Sequence, residues 1–417
     1  MKKSKLILIS AIGNAIEFYD FTLYGVFASI ISLHFFPSTD PTAALLASWA
    51  AFGVGFLMRP FGGSIFGYIG DKLGRKKALT LSILLMGVPT LVIGFVPSYA
   101  SIGLLAPFIL FLCRLLQGIC TGGEYNGAAI YALEHLGRSY PGLAGGIITG
   151  SCVVGALSAT FLGKLVLGPN MPEEAWRIPF LCGALFSLFG FYMRRDMLET
   201  PDFSNLLKTP HRKSAMPLLE ALSKHPRASF TTVILGGFNG ALSYTLFGFL
   251  NMYISRYLGL PMTEAMHYNL LGLFAFMISS PLLGFVLDKL GPRLYFSIAS
   301  LLVLGSVWSV FTAFQKLLPF SLIMAQISLG ILTGSIAGPM HAYVQRLFPV
   351  KARYSGVSFS FSLGMGVVGG ITPLFLTHLI EKTHNLYVPA LWLGGCALLA
   401  FFSLFLSWDI EYLQEQP

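Results

Sequence analysis

Two acids three positions apart, Glu17 and Asp20, stand inside the first long apolar run of the chain, with Asn14, Phe21 and Tyr24 around them. Asn14, Glu17, Phe21 and Tyr24 recur at spacings of three and four, so on a helix they share one face, with Asp20 at its margin. Burial in a low dielectric favours the neutral form of a carboxyl group, which makes either acid a candidate for binding and releasing a proton. The competing use of such an acid is an ion pair that ties helices together. A second polar set, Arg114, Gln117, Glu124 and Tyr125, lies in another apolar run. An arginine can hold a carboxylate by two parallel hydrogen bonds. That carboxylate is either a ligand's or one of Glu17, Asp20 and Glu124, and the sequence leaves the choice open. Gly118/Gly122 and Gly123/Gly127 in the same run are small-xxx-small pairs, whose ordinary use is close helix packing. The proton candidates are therefore Glu17, Asp20 and Glu124. The ligand candidates are Asn14, Tyr24, Arg114, Gln117 and Tyr125, joined by Asn239 and Tyr244 in a later run. For Asn251, Gln326, Ser335 and His341 an ordinary interhelical hydrogen bond is the expected use.

The elements that must position these groups follow from composition. The chain is 55% hydrophobic and only 11% charged, whereas soluble domains carry about 25% charged residues. Most of it must face lipid or other buried helices. A membrane-crossing helix takes about 20 residues, and runs of that size fall at 6–34, 44–69, 78–97, 101–132, 140–168, 177–195, 229–255, 264–287, 294–315, 318–346, 353–380 and 387–408. The expected fold class is an all-α membrane protein of twelve transmembrane helices in two six-helix bundles. The first run follows a basic start as a signal peptide would, but its polar residues and lack of a cleavage pattern make it a retained span. The net charge of +9 comes from bases on short loops between runs, so topology explains it better than nucleic acid does. Most of these bases alternate to one side, including Lys72, Arg75, Arg138, Arg194, Arg212, Lys289 and Arg353. Lys164, Arg177, Arg256, Lys316 and Lys382 fall on the other. The positive-inside rule then places both termini in the cytoplasm. The five cysteines lie within apolar runs and are odd in number, which argues against a disulfide framework or metal cluster. No Walker loop, metal-ligand spacing or nucleophile elbow is present, so no cofactor and no enzymatic activity are expected.

Between the second and third runs the chain reads Gly67-Tyr68-Ile69-Gly70-Asp71-Lys72-Leu73-Gly74-Arg75-Lys76-Lys77. Close approach at the glycines and cytoplasmic bases make this a tight charged turn between two spans. A degenerate copy, Gly284-Phe285-Val286-Leu287-Asp288-Lys289-Leu290-Gly291-Pro292-Arg293, occupies the matching place in the second half. Arg138-Ser139-Tyr140-Pro141-Gly142 is likewise answered by Arg353-Tyr354-Ser355-Gly356. Two parallel repeats of six spans imply a central cavity between them. The polar segment 196–228 would join a bundle at 1–195 to a bundle at 229–417. Gating candidates are Asp71, Gly74 and Arg75 in the first turn, Asp288 and Arg293 in the second, and Arg59 beside Pro60.

The first charged turn resembles the signature loop of the major facilitator superfamily. Nearly end to end, the chain resembles the metabolite:proton symporter family within it, and most of all the proline/betaine osmolyte transporters. The stretches that carry the resemblance are Gly13-Asn14-Ala15-Ile16-Glu17-Phe18-Tyr19-Asp20-Phe21, Arg59-Pro60-Phe61-Gly62-Gly63, Gln117-Gly118 with Gly122-Gly123-Glu124-Tyr125, Trp176-Arg177-Ile178-Pro179-Phe180, Glu199-Thr200-Pro201-Asp202-Phe203, Leu347-Phe348-Pro349 with Arg353-Tyr354-Ser355-Gly356, and Gly369-Gly370 with Thr372-Pro373. The resemblance implies proton-coupled uptake of a small polar metabolite across a bacterial inner membrane by a monomer. It places the span-one acids and span-four charges in coupling and binding. Three departures stand out: the chain ends soon after span twelve without a long coiled-coil tail, Phe361-Ser362 replaces an aromatic-Asn pair in span eleven, and Arg114 stands where some osmolyte carriers have lysine. The last departure also suits organic-acid carriers. The substrate class is open between a zwitterion and a mono- or dicarboxylate. A drug exporter would carry a Gly-Pro pair in span five, which Gly145 to Gly163 lacks, and a membrane receptor would ordinarily carry a sizeable soluble domain.

Overall fold

Apolar runs bounded by glycine, proline and charge each become one helix in the computed structural model, which describes residues 3–36, 41–136, 140–167, 171–208 and 216–410. The first six are α1 Lys3–Val26, continued by Ala28–Phe35, α2 Pro41–Lys72, α3 Arg75–Phe95, α4 Leu105–Leu136, α5 Pro141–Val166 and α6 Arg177–Arg195. The second six are α7 Pro226–Tyr244, α8 Met262–Leu290, α9 Pro292–Gln315, α10 Pro319–Val344, α11 Arg353–Gly364 and α12 Val388–Leu406. Beyond Tyr244, α7 runs on through wide π-helical turns at Thr245–Phe249 and Tyr253–Tyr257, and α11 passes a like turn at Met365–Gly369 into Gly370–Thr383. Eleven helices among the described residues are long and apolar enough to cross a membrane, and α2 is a helix of 32 residues. The protein is an all-α, multi-pass membrane protein with the expected twelve helices. Apolar side chains such as Leu84, Val88, Leu185, Leu302 and Leu399 are exposed, as a lipid-facing surface requires.

Helix starts are written in proline: α5, α7, α9 and α10 open on one, where the missing N–H is unpaired anyway and φ is already helical. The two charged turns break their helices on the same device. Gly74 has φ +108° and Gly291 φ +79°, a left-handed region that only glycine enters without strain. In the repeat these are the same position, one residue before Arg75 and Pro292. The segment expected as one polar linker holds two short helices, Pro201–Leu207 and Pro217–Lys224. Arg138 and Ser139, which begin one of the repeat echoes, lie outside the described residues, as do Lys2, Arg212 and Lys213.

The chain divides into two compact units, Met1–His135 with Ser151–Ala215, and Leu136–Gly150 with Met216–Pro417. In the first, Tyr19, Leu23, Phe27, Ile93, Leu110, Trp176 and Phe180 form an apolar core. The seam of α2 with α4 is backbone on backbone: a Cβ at Gly118 would lie 2.2 Å from the Gly55 carbonyl oxygen, and one at Gly122 2.1 Å from that of Arg59. In the second unit α8 packs along α10, α9 along α12, and α7 along α11.

One expectation is corrected here. Arg75, Arg194 and Arg353, read from the sequence as loop bases, are 0, 0 and 3% exposed. Arg75 opens α3, Arg194 falls in the last turn of α6, and Arg353 opens α11. The helices run past the apolar windows because a guanidinium that is paired or packed no longer needs bulk water.

Gly122→Ala should cost about 1–3 kcal/mol, the usual price of overpacking, and lower the thermal unfolding midpoint of the detergent-solubilised protein. Gly395→Ala, with nothing within 4 Å of its added carbon, should leave that midpoint unchanged.

Candidate functional site

The polar groups that the sequence singles out in the first half converge around α1, which is packed on several sides. Asn14 is fully buried and donates through Nδ2 to Ser151 Oγ at 2.9 Å and Cys152 Sγ at 3.1 Å, both on α5. Tyr24 donates to the Ser48 carbonyl at 3.2 Å. Asp20 turns the other way, toward α3 and α6. Its Oδ2 accepts from Thr90 Oγ1 at 3.0 Å, and Gly183 leaves the room for Oδ1. Glu17 lies between these groups and is 2% exposed, yet neither of its oxygens has a hydrogen-bond partner.

From Asp20 a chain of hydrogen bonds leads to Arg114. Gln117 Nε2 donates to Thr90 Oγ1 at 2.9 Å, and Arg114 Nη1 donates to Gln117 Oε1 at 2.8 Å. Every link donates in one direction, from cation to carboxylate, so the bonds polarise one another. The Arg114 guanidinium lies 4.5 Å from the Tyr24 ring centroid and 5.4 Å from that of Phe21. Arg59, one helix away, stands 5.1 Å from both the Phe21 and Phe56 rings. These stacked cations recover from the ring quadrupoles part of what they lose in hydration. Tyr125 meets Phe18 edge-on at 5.9 Å.

Glu124 belongs to a separate pair. Both its oxygens accept from Arg194, at 2.8 Å for Nη1 to Oε2, and Oε2 also accepts from Ser82 Oγ at 2.5 Å. Arg194 Nη1 donates as well to the Leu79 carbonyl at 2.6 Å.

At the charged turn, Arg75 is held by Asp71 at 3.2 Å, by Glu134 through Nε at 3.1 Å and Nη2 at 3.2 Å, and by the Gly70 carbonyl at 2.7 Å. Thr200 donates to Glu134 at 2.6 Å. Glu199 closes the turn by accepting from the backbone N–H groups of Arg75 and Lys76 at the start of α3, where the helix dipole favours an anion. Burial pushes the Glu199 carboxyl above the ordinary range, opposed by the N–H groups of Thr200 and Lys76 and by Arg75. A side chain at Gly74 would strike the Glu199 carboxylate.

In the second unit the picture is more neutral. Asn239 is buried and accepts from Ser243 at 3.4 Å. Tyr244 is half-buried with its ring against Gly369. Asp288 accepts from the N–H groups of Gly142 at 2.6 Å and Leu143 at 3.0 Å, capping the start of α5. Arg293 stands 5.4 Å from the Trp408 ring.

The structure thus brings Asp20, Arg114, Gln117 and Tyr24 into one network and sets Glu124 in another. Thr90, Arg194 and Glu134 were not singled out by the sequence. Thr90 is a lone hydroxyl in an apolar run and gives no signal. Arg194 left one indirect trace in Gly13, since a Cβ there would lie 1.8 Å from its Nη2.

Glu134→Ala would take from the buried Arg75 guanidinium the carboxylate that holds its Nε and Nη2, while Nη1 keeps Asp71 and the Gly70 carbonyl. Breaking one side of such a pair costs about 3–5 kcal/mol, so the unfolding midpoint should fall clearly. Lys77→Ala, on the exposed side of the same turn, should stay within about 0.5 kcal/mol of the parent.

Comparison with known proteins adds a family. Residues 10–373 and 232–414 match the model of the Major Facilitator Superfamily. The inner membrane metabolite transport protein YhjE of Escherichia coli is 34% identical over 427 residues, covering 98% of this chain and 95% of that protein. The proline/betaine transporter of Salmonella typhimurium is 30% identical, covering 96% of this chain and 83% of that one. Among solved structures, the proton:xylose symporter XylE bound to 6-bromo-6-deoxy-D-glucose superposes with a TM-score of 0.79 at 14% identity, covering 98% of this chain and 95% of that one.

Proposed function

The chain belongs to the major facilitator superfamily, and from that premise we propose that it is a proton-coupled symporter importing a small metabolite that carries a carboxylate. It is a transporter and not an enzyme, as its family is. The substrate is either a zwitterionic osmolyte of the proline or betaine kind or an organic acid. Both termini face the cytoplasm of a bacterial inner membrane, and the monomer is the working unit. Residues 1–195 and 229–417 form the two bundles that alternate, and 196–228 joins them on the cytoplasmic face.

The observation that carries the proton reading is the state of Glu17. Five acids are buried among the described residues of the first unit: Glu17, Asp20, Asp71, Glu124 and Glu134. Asp20 is bonded to Thr90, Asp71 and Glu134 to Arg75, and Glu124 to Arg194. Glu17 alone has no hydrogen bond. An ionised carboxylate without one is too costly to bury, so a proton is the partner this side chain takes here. An alternating carrier releases it when the site opens to the other side.

Arg114 supports the carboxylate reading. Its planar fork is held on two aromatic faces and one amide, an arrangement suited to two parallel bonds with a carboxylate. The relatives' printed activities agree in class: two transport metabolites or proline and betaine, and one takes xylose with a proton. Asp71, Gly74 and Arg75 with Asp288, Arg293 and Arg59 are the contacts that hold or release the alternating states.

Uptake by reconstituted vesicles of labelled proline, betaine, shikimate and 2-oxoglutarate, with and without a protonophore, tests the reading. Glu17→Gln keeps the shape and removes titration. It should abolish pH-driven accumulation while exchange of substrate across the membrane continues. Undiminished accumulation would remove Glu17 from the mechanism.

Arg114→Lys replaces a two-pronged donor by a point charge. It should raise the apparent KM about tenfold, roughly 1.4 kcal/mol, at unchanged expression. An unchanged KM in Arg114→Ala would exclude Arg114 as the substrate's partner.

A further inference from the structure

A carboxyl group that gives up its proton inside a buried site needs a cation within reach, and the groups that face Glu17 narrow the choice. They are Glu124 and Cys120 on α4, Cys152 on α5, Arg59 on α2, Arg194 on α6, and Asp20 on its own helix. Two are cations. Arg59 is held between two aromatic rings. Arg194 is set apart by its seat against α1, at Gly13. Its Nη1 and Nη2 are spent on Glu124 and Leu79, but its Nε–H, fully buried, has no hydrogen-bond partner.

The placement of that guanidinium is set by α1. It lies against the bare Cα of Gly13, where a Cβ would stand 1.8 Å from Nη2 and 2.9 Å from Nε. Glu17 is four residues further along, on the same face of the helix. One buried donor without an acceptor and one buried acid without a donor thus flank a single turn of α1. Each is the kind of unsatisfied group that normal interiors avoid.

We propose that Arg194 is the counter-ion to which Glu17 turns when it releases its proton. The proton leaves to water on the open side, and the new carboxylate accepts from Arg194 Nε–H while Glu124 keeps both Nη groups. With Glu17 protonated, Arg194 and Glu124 cancel each other. With Glu17 ionised, the same guanidinium serves two carboxylates, and the pull on Arg194 is transmitted to α6 and α4. Arg194 acts through Glu17 and is a positioning residue. The Glu124–Arg194 pair is then part of the coupling step rather than a fixed tie. The inference rests on the reading of Glu17 as proton carrier.

Infrared spectroscopy of the purified full-length chain separates the two. The protonated-carboxyl band lost in Glu17→Gln is assigned to Glu17 and followed with pH. If Glu17→Gln removes no such band at any pH, the proton reading itself fails. If the band is there, Arg194→Lys, which keeps a positive charge for Glu124 but removes the Nε–H, should retain it to a pH at least one unit higher than the parent, a tenfold change in proton affinity. An unchanged midpoint would overturn the role of Arg194 and leave that of Glu17 intact. Should Arg194→Lys fail to fold, Gly13→Ala displaces the guanidinium by its added carbon and is judged by the same one-unit criterion.

Discussion

A charge carried into a hydrocarbon layer must bring its counter-charge with it, and the first half of this transporter is built on that rule. Transfer of an isolated ion from water to a low dielectric costs far more than any single packing contact returns. Arg75 therefore sits among Asp71, Glu134 and the Gly70 carbonyl, and Arg194 takes both oxygens of Glu124. Arg114 and Arg59 solve the same problem with aromatic faces. Such pairs add little net stability over apolar packing. They do fix which helices meet, since each partner is bound to a particular mate on another helix.

Two halves that share a degenerate repeat place their charges unequally. Both keep the glycine of positive φ that ends the second helix of each bundle, Gly74 and Gly291. Only the first surrounds its turn with a buried ionic cluster. In the second, Asp288 caps a helix start, and the buried polar groups within its spans are amides, hydroxyls, His341 and, at the start of α11, Arg353 among the described residues. α7 and α11 instead carry wide π-helical turns, local irregularities that are frequent at functional positions. Among the described residues, the fully buried guanidinium–carboxylate pairs thus lie on the first half of the chain.

Much of this was legible beforehand. Twelve spans, the family and the two charged turns follow from hydropathy and glycine spacing, because lipid leaves the backbone few alternatives to a helix. The network was less legible, for a geometric reason. A helical wheel sorts Asn14, Glu17 and Tyr24 onto one face, but α1 is enclosed, so Asn14 meets α5, Tyr24 meets α2, and Asp20 at the margin meets α3. A shared face predicts a shared partner only where one side of a helix is free. Arg194 was hidden because a base at the end of an apolar run is indistinguishable, in sequence, from a loop base that obeys the positive-inside rule. Its burial is decided by Glu124, seventy residues earlier.

That separation along the chain has a bearing on biogenesis. Glu124 enters the membrane on α4, while its mate arrives only with α6, after the hairpin of α5 has been made. Until then the nascent bundle holds a carboxyl group, and a cleft at Gly13, that nothing fills. The last helix of the bundle therefore works as a keystone: it delivers the guanidinium, closes against α1 and α3, and ends the exposure of a polar centre to lipid.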